Sequence, residues 1–454
     1  MDSKLTPETL RLRDLDNAAV WHPFTAMSDY RTEHAPIIVE AEGFTLVDSD
    51  GNRYLDGHSS LWCNIHGHRV PAIDAAIRKQ LDRVAHTTLL GLSNEPSIEL
   101  AAELIRRTPD GLNKVFYADC GAAGVEVALK IAYQYYRQRP RASQTRDEFI
   151  YFDGAYHGDT IGTMSIGAIG RFKDLYSPLL FQAVWTGAPL CKRNQPDTEQ
   201  DELRRWVYEL EQLLIQHKDS IVGVVIEPLV QAAAGIHVHA AGFLRRVREL
   251  TQKHDVLLIA DEIAVGFGRT GTMFACERES VSPDILILSK GLTGGYLPLA
   301  ATLVTDELYE AFLGDPWAGK TFYHGHTYTG NPLACAAALA SIRLIDDHSV
   351  LANVAHNESI IRRELAELST HPNVKEVRQL GMMVGIELQG RDALFTPQQR
   401  VGHQVTLACR KRNVILRNIA DVIVLMPAPA MPEREVILLC KTVREAIAEV
   451  LGSA

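Results

Sequence analysis

Between residues 114 and 304 the chain repeats one pattern. Short runs of consecutive apolar residues, at 114–118, 148–152, 221–226, 256–260, 285–288 and 300–304, alternate with longer stretches whose apolar positions recur every three or four residues. A continuous apolar run bounded by turn residues fits a strand buried on both faces, and the 3.6-residue recurrence fits an amphipathic helix. Helices are predicted at 72–84, at 97–107 and in "GFLRRVRELTQKH", just before the strand at 256. The alternation predicts an α/β fold with a mostly parallel sheet covered on both faces. The flanks read differently. Residues 7–20 suggest a short helix, and "IIVEAEGFTLVDSDGNRYLDG" (37–57) alternates and turns at Asp50-Gly51, as a small antiparallel sheet would. After about 346, helices mix with short strands and the chain closes on a helix near 433–450, which predicts α+β structure. The expected division is a large unit over 59–346 and a small one built from 1–58 and 347–454.

Ligands of open α/β sheets bind beyond the carboxyl ends of the strands. Here those ends carry Asp119-Cys120-Gly121, "DGAYHGD", Glu227, Asp261-Glu262 and Lys290. One rim therefore collects a lysine, several carboxylates, Tyr156, His157 and two glycine turns.

Composition narrows the partners. The chain has 454 residues, 46% of them hydrophobic, enough for a large core. Its formal charge of −10 argues against nucleic acid or an anionic membrane as a main partner. The seven cysteines include no CxxC pair, so no metal site is expected and a reducing cytoplasm is. There is no apolar leader at the start and no run long enough to span a membrane.

Two motifs mislead. "GDPWAGKT" (314–321) has the spacing of a phosphate-binding P-loop, but it comes after the acidic segment "TDELYEAFL" and precedes "FYHGHTYTGNP", whose Gly and Pro forbid an immediate helix. "GFGRTG" (266–271) has dinucleotide-site spacing, yet it neither directly succeeds the 256 strand nor opens a helix. It is expected to be a mobile glycine-rich loop.

Asp261 and Lys290 stand 29 residues apart, each ending a strand of one sheet. Pyridoxal phosphate needs a lysine to bond its aldehyde, an acid to keep its pyridine nitrogen protonated, and a cradle for its phosphate. Lys290 and Asp261 could supply the first two. "CGAAGVEVALKIAYQYY" supplies the third: a glycine turn opens a helix with apolar Val125, Leu129, Ala132, Tyr133 and Tyr136, and helix N-termini attract phosphate. Tyr156 could stack on the ring. Taken singly, each is an ordinary residue: a solvated lysine, a capping aspartate, a strand–helix turn, a core tyrosine. Their sharing one rim is what points to a cofactor site.

The blocks "LLIADEIAVGFGRTGTMFACE" and "PDILILSKGLTGGYLPLAA" resemble the signature of the class III (ω-type) pyridoxal-phosphate aminotransferases. "DGAYHGDTIG", "VVIEPLVQAAAG" and "HGHTYTGNPLACAAALA" extend that resemblance along nearly the whole chain. "WHPFTAM", "GHSSLWCNIHGH" and "ILRNIADVIVLMP" resemble its biotin-pathway branch, which aminates 8-amino-7-oxononanoate with adenosylmethionine or lysine as donor. The resemblance implies fold type I, pyridoxal 5'-phosphate as cofactor, ping-pong chemistry and a homodimer with shared active sites. It makes Lys290, Asp261 and Tyr156 catalytic. The cofactor would be held by Gly121, Ala122, Tyr156, His157, Glu227, Asp261 and Lys290, with Thr327 reaching the phosphate from the partner subunit. Phe24, Leu61, Trp62 and Arg417 would bind substrate, Arg417 through the keto acid's carboxylate. Many relatives have Ser at the position of Ala122, so one phosphate hydrogen bond is in doubt. Phe24 and Leu61 stand where adenosylmethionine users show Tyr and Trp, which resembles the lysine-using branch. Alternatives are an ω-amine:pyruvate transaminase, a semialdehyde aminomutase, or a relative that binds without catalysing.

Overall fold

The computed structural model describes residues 5–139, 145–190, 196–391 and 395–452, which leaves Cys191 outside the described residues. A seven-stranded sheet forms the centre. Its spatial order is Leu112–Ala118, Ala300–Thr305, Ile285–Leu288, Leu257–Asp261, Ile221–Ile226, Glu148–Phe152 and Val184–Thr186. All six predicted strands are present within a residue or two of their predicted bounds; Val184–Thr186 is an additional edge strand. The sheet is mostly parallel, as expected, with one reversal. Ala300–Thr305 runs antiparallel to both of its neighbours.

Alternate residues of each strand feed two different cores, as pleating requires. On one face Val222, Leu257, Ile259, Ile285 and Ile287 pack with Val125, Leu129, Ala132 and Tyr136 of the helix Gly121–Gln138. Tyr133, assigned to that apolar stripe, is instead 42% exposed, because it lies a further 100° around the helix from Ala132, off the face that Val125, Leu129, Ala132 and Tyr136 share. On the other face Val224, Leu258, Leu286 and Leu288 pack with Phe243, Leu244 and Val247 of the helix Phe243–Lys253. A sheet buried on both sides explains why its strands read as unbroken apolar runs.

The ends of the chain meet. Ile38–Glu42, Thr45–Asp48 and Arg53–Asp56 form the expected antiparallel sheet, and Val414–Ile415 adds to it in parallel beside Arg53–Asp56. A second sheet, ordered Val374–Leu380, Met383–Leu388, Val422–Leu425 and Arg417–Ile419, places Arg417 on its edge strand.

"GFGRTG" is not the mobile loop expected. Arg269 is only 1% exposed; it donates to Pro427 O (2.7 Å) and Asn64 O (2.8 Å) and so joins three distant segments. "GDPWAGKT" lies in a loop with no helix directly after it, in keeping with the rejection of a P-loop. Among the described residues no helix is long and apolar enough to cross a membrane.

Candidate active site

The strand ends converge on a cavity of about 890 Å³. Every predicted site residue except Thr327 lines it: Phe24, Leu61, Trp62, Gly121, Ala122, Tyr156, His157, Glu227, Asp261, Lys290 and Arg417.

Lys290 stands two residues beyond the strand Ile285–Leu288, after Ser289, and opens a short 3-10 turn, Lys290–Thr293. Its φ is +45°, a left-handed value that a lysine adopts at a cost. Ser289 Oγ donates to Leu299 O (2.8 Å) and closes the loop behind it. The amine lies 4.8 Å from the centroid of the Trp62 ring, and no carboxylate among the described residues is within ion-pair distance. Burial holds its pKa below the usual lysine value, with Asp261 and Glu227 opposing in part. Burial thus shifts the balance toward the neutral amine, the form that is a nucleophile and a base.

Asp261 ends its strand buried. Oδ2 accepts from His157 Nδ1 at 2.7 Å and Oδ1 from the Ile263 amide at 3.0 Å. Burial is the largest influence on His157 and makes it harder to protonate, but the hydrogen bond to Asp261 together with the negative charges of Asp261 and Glu227 more than offsets it, and the imidazole's pKa is raised. Glu227 accepts from the amides of Tyr156 (3.1 Å) and Ala232 (3.0 Å), and burial pushes its carboxyl up to about 7. Tyr156 donates from its hydroxyl to Asp159 Oδ2 at 2.7 Å.

The helix Gly121–Gln138 begins at the cavity with Cys120 as its N-cap. A Cβ on Gly121 would stand 2.8 Å from Ile263 Cδ1, and one on Gly158 2.5 Å from Ala122 Cβ. With its φ of +132°, Gly158 lets the turn carrying Tyr156 and His157 lie directly against the first helical turn.

Trp62 and Leu61 arrive on a turn that few sequences build. Ser59, Ser60, Leu61 and Trp62 all have positive φ, between 47° and 70°. Each non-glycine residue in that conformation costs roughly 1–2 kcal/mol. Side chains over-determine it: Asp56 accepts from Ser60 N (3.0 Å) and Ser60 Oγ (2.7 Å), and Ser59 Oγ donates to Met426 O (2.5 Å).

The residues fit pyridoxal phosphate. A lysine without an ionic partner, a buried aspartate held by His157, and the free amides of a helix N-terminus share one cavity. Trp62 Nε1 and His157 Nε2 are buried polar atoms with no hydrogen-bond partner among the described residues. Thr327 is exposed on the segment after "GDPWAGKT", whose His326 lies 3.8 Å from Asp119 at the cavity rim. Sequence reasoning missed Asp159 and Arg269. The first stood inside the quoted "DGAYHGD", and the second was hidden by a misread glycine loop.

Comparison with known proteins agrees with this arrangement. The model of the family described as "Aminotransferase class-III" matches residues 27–447. The chain is 52% identical over 443 residues to the adenosylmethionine-8-amino-7-oxononanoate aminotransferase of Nitratidesulfovibrio vulgaris, covering 97% of this chain and 82% of that protein. The crystal structure of the Methanocaldococcus jannaschii protein of the same name superposes with a TM-score of 0.92 at 40% identity, over 97% of this chain and 99% of the other. An (S)-enantioselective ω-transaminase from Thermomicrobium roseum superposes with a TM-score of 0.91 at 32% identity, over 97% and 99%. By motif, fold and site geometry together, the chain belongs to the class III aminotransferases.

Proposed function

We propose that this aminotransferase converts 8-amino-7-oxononanoate to 7,8-diaminononanoate in biotin biosynthesis, with S-adenosylmethionine or L-lysine as amino donor. The observation that carries the substrate assignment is Arg417, a guanidinium without an ion-pair partner among the described residues, on the wall of the cavity that holds Lys290. Relatives that are 44–52% identical over 95–98% of the chain and bear the matching name support it.

Lys290 would hold pyridoxal 5'-phosphate, Asp261 would face its pyridine nitrogen, and the amides at Gly121 and Ala122 would take its phosphate. When bound, that group supplies an electron sink for the bond-breaking at the substrate's amine-bearing carbon. Asp261, fixed by His157 and the Ile263 amide, would be the carboxylate that faces the ring nitrogen. Lys290 Nζ, whose charged form burial disfavours, would remove the proton from the substrate's reacting carbon and later return one. Tyr156 would stack against the ring, its hydroxyl steadied by Asp159. Arg417 holds the far carboxylate of the acceptor and so sets which carbon reaches Lys290. Trp62, Leu61 and Phe24 cover the aliphatic chain and exclude water.

A second copy of the chain completes the site through Thr327. An exposed apolar surface supports this: Leu90, Leu92, Tyr323 and Tyr328 are 59–80% exposed, and Leu90, Leu92 and His324 line one cleft. The expected division into a 59–346 unit and a unit from both termini draws support from the pairing of Val414–Ile415 with Arg53–Asp56. All six described cysteines are free, which supports a cytoplasmic enzyme.

The test is a substrate screen of the cofactor-loaded enzyme with each donor and acceptor in turn. Conversion of 8-amino-7-oxononanoate with one of the two donors is expected. The name of the relatives favours adenosylmethionine, and Phe24 with Leu61 favours lysine. Turnover of ω-amines with pyruvate and none with 8-amino-7-oxononanoate would overturn the reading in favour of the ω-transaminase alternative.

A further inference from the structure

The cavity holds a second guanidinium. Arg171, on the short helix Gly170–Lys173, lines it together with Arg417. The two are linked through rings. Arg417 lies 5.8 Å from the centroid of Phe24, Phe24 meets Phe172 edge-on at 5.2 Å, and Arg171 lies 4.9 Å from the centroid of Phe172. Among the described residues neither arginine has a carboxylate within ion-pair distance. The acids that line the cavity are engaged elsewhere: Asp159 by Tyr156, Asp261 by His157, and Glu227 by two amides. Asp119 lies 3.8 Å from His326. Burial depresses the pKa of Arg417, and the proximity of Arg171 adds to that effect while Tyr156 opposes it.

Two like charges at one wall, each stacked on one of two touching rings and neither neutralised, form an anion site that the protein itself leaves unfilled. A phosphate-directed role is less suited to the pair, because the cradle at Gly121 already supplies amides for a phosphate.

We propose that Arg171 is a second carboxylate-binding residue, which together with Arg417 holds the distal carboxylate of a long-chain keto acid or ω-amino acid at the cavity mouth. This deepens the reading of Arg417 above and rests on it. A carboxylate shared by two guanidiniums has both oxygens satisfied, and its distance from Lys290 selects chains of a fixed length. The exposure of Arg171 leaves it free to meet the substrate as it enters.

The test uses the cofactor-loaded enzyme and Arg171→Gln. Nonanoate and its neutral amide serve as dead-end ligands, and 8-amino-7-oxononanoate and its methyl ester as substrates. The inhibition constant of nonanoate is expected to rise about tenfold and that of nonanamide to stay put. Likewise KM for the free acid should rise about tenfold, with kcat and the ester's kinetics little changed. One charge-assisted hydrogen bond has about that effect. A parallel loss for acid and ester, or for nonanoate and nonanamide, would mean Arg171 is structural and would overturn the proposal. So would weakened cofactor binding with acid recognition intact, or no change at all. Should wild-type enzyme ignore 8-amino-7-oxononanoate, the reading of function fails, and the nonanoate pair still decides the role of Arg171.

Discussion

His157 Nδ1 lies 2.7 Å from Asp261 Oδ2, and both side chains are buried. The imidazole therefore cannot turn without breaking that bond, and the carboxylate is fixed toward the cavity. Asp261→Asn keeps the shape and removes the charge. The amino-transfer half-reaction, monitored by stopped-flow absorbance, should slow by about 10²- to 10³-fold, the scale of losing one preorganised electrostatic partner. A twofold effect would make Asp261 structural.

Lys290 combines function with strain. Lys290→Ala should fold, by circular dichroism, yet lose turnover and the visible absorption band of lysine-linked cofactor. The left-handed φ adds a second readout. Lys290→Gly should be more stable than Lys290→Ala by about 1 kcal/mol, because glycine enters that region freely. Equal melting temperatures would show that the backbone relaxes when the lysine is gone.

Arg417→Ala should weaken use of the keto acid by about 10- to 100-fold and leave the visible band intact. One to two charge-assisted hydrogen bonds at roughly 1.5–3 kcal/mol give that range. Unchanged kcat/KM for 8-amino-7-oxononanoate would show that Arg417 does not anchor the carboxylate.

Glu227 gives the protein a pH dependence of known sign. Its carboxyl ionises near 4.5 in an unfolded chain and near 7 in the fold, because burial disfavours the charge. Between those values the folded state binds the extra proton, so this residue's contribution to stability is full below about pH 4.5 and is lost as the pH rises to about 7. Glu227→Gln should flatten the curve of melting temperature against pH in that window. An unchanged slope would assign the dependence to other groups.

Hybrid dimers test the shared site. Lys290→Ala subunits mixed with subunits carrying a bulky Thr327 substitution should regain activity, since one composite site per hybrid is intact. If subunit exchange is demonstrated by mass spectrometry and activity stays absent, Thr327 does not act across a subunit boundary.

The legible part of this molecule is the part governed by local pattern. Strands buried on both faces, such as Ile285–Leu288, announce themselves as apolar runs, and Lys290 and Asp261 stand out at the carboxyl ends of two such runs. Features that depend on distant partners stay hidden. Arg269 reads as a loop residue because the carbonyls of Asn64 and Pro427 that receive it come from the two ends of the chain. The left-handed turn at Ser59–Trp62 contains no glycine to advertise it, and partners distant in sequence, such as Met426 and Arg269, help to make it tolerable. Arg171 sits on a four-residue helix, too short to show a periodicity in the sequence. The reversal of Ala300–Thr305 is equally silent, since an apolar run has no direction.

That reversal has a kinetic meaning. Because Ala300–Thr305 runs back alongside Ile285–Leu288, the eleven residues 289–299 that include Lys290 connect neighbouring antiparallel strands and need no crossover helix. Loop-closure entropy grows with the logarithm of length, so this connection is among the easier ones for the chain to form. The lysine segment can thus be pinned in register by a local ladder before the rest of the rim is assembled. A slip of one residue in that ladder would turn every side chain of the strand to the opposite face, so the pairing that forms by short-range search also guards the position of the reactive amine.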